Sequence, residues 1–195
     1  MYRKQMILQR ITSFILLAAA ALVFVYSLGI MTDLYDSLYL VSSYDETEYM
    51  YVEGSKIFLN MQDFNRQLTT AGVILILTAV ALFVFQSHNR RKYYIANYIT
   101  SGINAVANIA VSIWALINVV KYKAEFGLLD FDKLREMSEM FPDFVAYTES
   151  TFWFDAAFPV FGVVFLATAL SIANLVLKIV VMKEEKKLIA EGKEA

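Results

Sequence analysis

Long uncharged runs dominate the pattern of polar and apolar positions along the chain. Four reach membrane-spanning length: Ile11 to Met31, Gln67 to Ser87, Tyr93 to Val120 and Ala156 to Leu177. None contains Asp, Glu, Lys or Arg. About 20 apolar residues rising 1.5 Å each cross a hydrocarbon core of ~30 Å. At this length only a helix satisfies its own backbone inside lipid, because a barrel strand needs only about 10 residues. The pattern predicts an all-α, polytopic membrane protein. Residues 1–195 form a single membrane domain of four transmembrane helices in a bundle, with spans 11–31, 67–87, 93–120 and 156–177. Two long loops, 32–66 and 121–155, build an extracytoplasmic cap, and residues 178–195 form a tail. The first run begins behind basic residues, as a signal peptide does. It continues past Ala18–Ala21 through LVFVYSLGI, too far for a signal core.

The connections carry patterns of their own. In the first, TDLYDSLYLV continues span one as a helix, and YMYV and KIFLN flank the turn-like Glu53-Gly54-Ser55, which suits a small hairpin. In the second, Asp130 caps a helix in which Phe131, Leu134, Met137 and Phe141 recur at helical spacing, and Pro142 ends it. That helix either covers the bundle or meets a partner or the membrane surface. The tyrosines and phenylalanines of the two connections are expected to pack on each other. Asp155 is the expected N-cap of span four, with Phe152, Trp153 and Phe154 in an interfacial belt beside it.

Charge orients the bundle. Arg3, Lys4 and Arg10 precede span one, Arg90, Arg91 and Lys92 lie between spans two and three, and five lysines follow from Lys178 onward. These segments hold 11 of the 17 basic residues, whereas the two long connections hold seven and eight acids. By the positive-inside rule both termini and the short middle loop are cytoplasmic, in a multi-pass protein of the cell membrane. Arg90, Arg91 and Lys92 are candidates for lipid headgroup contact. Lys178 is expected to snorkel to the same interface.

Span three poses the sharpest question. At about 100° per residue, Asn97, Ser101, Asn104, Asn108 and Ser112 fall within roughly an 80° arc of a helix that otherwise shows Ile, Val and Leu. Amides on one face of a span serve either to hydrogen-bond neighbouring helices or to line a wet path, within one chain or around an axis of several. Thr168, Ser171 and Asn174 on span four, and Thr69, Thr70 and Thr78 on span two, are the partners available for packing. Gly162, Ala169 and Ala173 form a small-residue face on span four, suited to a helix of this chain or of another.

Catalytic groupings are missing. The one histidine, His88, stands beside arginines, and there is no cysteine, no nucleophile elbow, no zinc motif and no phosphate loop. Asp45, Glu46 and Glu48 lack the spacing of a calcium loop and suit a solvated acidic surface. No cofactor, no metal and no nucleic-acid partner is expected. The leading functional expectation is a non-enzymatic assembly or accessory subunit, binding another membrane protein or its own copies through the outer loops and span surfaces, in contact with membrane lipid. The second is an oligomeric channel or transport pore lined by span three, and the third a membrane enzyme acting on lipids.

Overall fold

The computed structural model describes residues 2–87, 94–140 and 148–192. Four long helices carry the fold: α1 (Tyr2–Leu38), α2 (Ile57–Ser87), α3 (Tyr94–Phe126) and α5 (Phe152–Ala190), with a short α4 (Phe131–Met140) between the last two. Each long helix contains a stretch apolar and long enough to cross a membrane. All four outrun the uncharged segments that announce them. Helix propensity and packing carry the backbone past the points where charge begins, so much of both connections is helical.

The chain divides into two compact units, and every long helix contributes a segment to each. One unit comprises residues 22–72 and 113–161. Its core is rich in aromatic side chains. Phe64 lies 5.3 Å from Trp114 and 5.4 Å from Tyr122, while Phe126 lies 5.4 Å from both Phe131 and Phe154. Such tilted pairs add to the area they bury. Their polar ends are satisfied: the Tyr26 hydroxyl donates to the Trp153 carbonyl and that of Tyr122 to the Asn60 carbonyl, both at 3.0 Å. Phe154 therefore turns inward instead of joining an interfacial belt, and only Phe152 of that trio is exposed.

The two connections meet inside this unit, as the tyrosine and phenylalanine content suggests. The Asp130 amide donates to the Glu53 carbonyl at 3.1 Å. A β-carbon on Gly54 would stand 2.9 Å from the Leu129 α-carbon, and Gly54 has φ of +82°. Glycine is required twice over, for the left-handed backbone and for the close approach. Gly54→Ala is expected to lower stability by roughly 1–2 kcal/mol from the backbone conformation alone, read as a drop in the thermal midpoint of the detergent-solubilised protein.

Asp130 caps α4 as its position suggests, its carboxylate accepting from the Lys133 amide at 3.0 Å. Leu134 and Met137 are fully buried, so the apolar face of α4 is used within its own chain; Phe141 and Pro142 lie outside the described residues. Two local expectations are corrected. There is no strand among the described residues, and KIFLN opens α2 instead of forming a hairpin arm. Alternating YMYV beside a glycine turn fits a strand only where a partner strand exists. Asp155 is not the cap of α5, which starts three residues earlier, where the Phe152 amide donates to the Ser150 hydroxyl at 3.2 Å. Asp155 sits one turn in, accepting from Lys123 and from the Thr151 hydroxyl. The acidic cluster Asp45, Glu46 and Glu48 is exposed, with Asp45 3.6 Å from Lys56.

Candidate functional site

The other unit comprises residues 1–21, 73–112 and 162–195. Its interior is polar. Asn97, Ser101, Asn104, Asn108 and Ser112 are all buried along α3, at 5 % exposure or less. The opposite face of the same helix shows Ile95, Ile99, Ile103 and Val106 to the surroundings, each more than half exposed. Amides inside and isoleucines outside invert the order water imposes. In lipid the arrangement is the favourable one, because unpaired amides there would cost several kcal/mol each. This is an integral membrane protein.

Two hydrogen-bonded groups engage three of the five stripe residues, Asn97, Asn104 and Asn108. In the first, Asn97 is the hub. Its Oδ1 accepts from Gln9 Nε2 at 3.0 Å and from Lys178 Nζ. Gln5 Nε2 extends the group, donating to Gln9 Oε1 at 3.0 Å and, at the long end of the range, to Asn174 Oδ1 at 3.4 Å. In the second, Asn108 Nδ2 donates to the Asn104 side-chain and main-chain oxygens, both at 2.9 Å. Asn104 Nδ2 donates to Thr78 Oγ1 at 3.0 Å, and the Thr78 hydroxyl in turn donates to the Leu75 carbonyl at 2.9 Å. The direction of donation is thus fixed along Asn108, Asn104, Thr78 and Leu75.

Of the partners the sequence offers, Thr78 and Asn174 enter the network. Thr69, Thr70 and Thr168 instead donate to carbonyls four residues back on their own helices, a local bond open to any threonine in a span. Asn118 does likewise with Trp114 at 2.8 Å. Gln5, Gln9, Thr12 and Ser13 are buried members that span prediction passes over, because they precede or open the counted apolar run. Their signal is spacing: 5, 9, 12 and 13 lie on the α1 face that continues into buried Leu16.

Lys178 departs furthest from expectation. It is buried beside Asn97, its Nζ 5.3 Å from the Tyr98 ring, instead of extending along the protein surface as a snorkelling side chain does. The reason is helical phase. Because α5 runs on to Ala190, residue 178 is internal to the helix and lies on the face of buried Ser171 and Asn174. Three atoms of this interior, Gln5 Oε1, Asn97 Nδ2 and Ser112 Oγ, are buried without a hydrogen-bond partner among the described residues.

Among the described residues, little packs on the small-residue face. Ala169 and Ala173 are exposed, and a β-carbon on Gly162 would meet nothing within 4 Å. Arg90, Arg91, Lys92 and His88 lie outside the described residues. With this geometry in place, comparison with known proteins adds nothing to it: no family model, no curated protein and no solved structure matches the chain.

Proposed function

We propose that the protein is a non-catalytic subunit of a membrane assembly, held to another membrane protein or to its own copies through the span surfaces and the cap of its two long connections. One observation carries this reading: the allocation of polar and small residues in α3 and α5. The amide stripe of α3 is spent inside its own chain, so it is not offered to an axis shared by several chains. The Gly162, Ala169 and Ala173 face of α5 is left bare, the kind of surface on which a second helix packs closely in lipid. After gentle solubilisation the protein is expected to elute as a complex. Replacing Gly162, Ala169 and Ala173 together by leucine is expected to release it as a monomer of unchanged helix content, measured by light scattering and circular dichroism. A parent protein that is already a lone monomer removes the proposal.

The positive-inside bias supports placing the cap outside the cell and both termini in the cytoplasm. A cysteine at Thr47 is expected to react with an impermeant maleimide in intact cells. One at Gly192 is expected to react only after permeabilisation.

A second reading, a transport path through one chain, draws on the three unpartnered interior atoms, since buried polar groups of this kind are where water is held. Asn104→Leu together with Asn108→Leu then abolishes flux of small polar solutes in liposomes. Absence of flux in the parent protein eliminates the path.

A further inference from the structure

An open groove of about 420 Å³ runs along α5, lined by Tyr98, Leu175, Ile179, Met182, Lys183 and Lys186. Leu175, Ile179, Met182 and Lys186 recur at spacings of four, three and four, which is one face of a helix. The face changes character along its length: an apolar wall of about 10 Å from Leu175 to Met182, then two ammonium groups within the next turn. Charge is sorted around the helix as well. At about 100° per residue, Glu184 falls on the side opposite Leu175, and Lys187 is turned well away from the groove. Tyr98 closes the wall from α3, its ring held by Lys178 Nζ at 5.3 Å.

We infer that this groove holds one anionic phospholipid of the surrounding bilayer, its acyl chain along Leu175, Ile179 and Met182 and its phosphate against Lys183 and Lys186. The warrant is complementarity in two respects at once. A trough that is apolar for ten ångströms and cationic at one end matches an amphiphile that is apolar along its chain and anionic at its head. The helix that forms it is a membrane span, so such molecules are its ordinary neighbours. The site adjoins the amide network through the Lys178–Tyr98 contact, lies on a different side of α5 from the small-residue face, and does not depend on what the protein assembles with.

The test is native mass spectrometry of the full chain in mild detergent. The protein is supplied with equal amounts of phosphatidylglycerol and phosphatidylcholine of the same acyl composition. Phosphatidylglycerol is expected to be retained roughly tenfold over phosphatidylcholine, from two lysines near the headgroup plane. Lys183→Gln with Lys186→Gln, both exposed positions, removes the preference. Ile179→Trp fills the trough and lowers retention of both lipids. Lys187→Gln changes neither. Equal retention of the two lipids by the parent overturns the inference, as does an equal loss in Lys187→Gln, which would mean general attraction to a basic helix end. So does full retention by Ile179→Trp, or a bound polypeptide in place of lipid.

Discussion

Replacing Asn97 by leucine is expected to lower stability by about 2–3 kcal/mol, the largest effect of any single change in the polar interior. Leucine has the branching of asparagine and a larger volume, so cavity formation contributes little. What is lost is the acceptor of two buried donors, Gln9 Nε2 and Lys178 Nζ. In water-soluble proteins a stranded buried donor costs about 1–3 kcal/mol. Between membrane helices the average is nearer 0.6 kcal/mol, because donors left behind find other partners. Lys178 and Gln9 are nearly inaccessible, which places the sum above that average. The measurement is reversible unfolding in mixed micelles, followed by circular dichroism. A double-mutant cycle with Lys178→Met sharpens it: the two changes together are expected to cost less than their sum by at least about 0.5 kcal/mol. Strict additivity would show that Lys178 does not depend on this amide.

The second large effect is steric and lies in the aromatic unit. Gly29→Ala is expected to destabilise by about 3 kcal/mol, at the upper end for overpacking. The added β-carbon would stand 2.3 Å from two carbons of the Trp153 ring. The main chain beneath the ring is held, the Tyr26 hydroxyl donating to the Trp153 carbonyl at 3.0 Å, so relief has to come from the half-buried ring turning about its own side-chain bonds. Trp153→Ala in the same chain is expected to recover part of the loss. The matched control is Gly102→Ala on α3, where a β-carbon would meet nothing within 4 Å. There the change is expected to be neutral or to stabilise by up to about 1 kcal/mol, since alanine is the better helix former. Equal losses at the two glycines would rule out contact with Trp153 as the cause.

How much of this was legible depended on which physical signal each element leaves in the chain. Charge-free length marks a span, and the 3.6-residue period of the α3 amides puts five polar residues on one side, which the structure buries. The Asp130 cap was equally legible, because the bond is local. The ends of the helices were not: α1, α2, α3 and α5 all continue through charged residues, which hydropathy reads as loop. That single blindness explains both misplaced polar groups. Gln5 and Gln9 stood before the counted run and Lys178 just after it, so neither was placed in the interior. The destination of the α3 stripe also required three dimensions. Periodicity says that five polar residues share a side, but whether that side meets its own chain or a shared axis is a matter of tertiary packing.

The division of the polar interior among helices has a consequence for biogenesis. Ribosomes deliver α3 before α5, so the amide hub at Asn97 enters the bilayer before Lys178 and Asn174 have been synthesised. Until the last span is released, α3 carries a wet face through hydrocarbon with only earlier helices to shelter it. A chain arrested after Phe126 should therefore linger at the insertion machinery or be handed to a membrane protease, whereas one extended through α5 should leave promptly. Release of α5 and closure of the Asn97 hub become the same event.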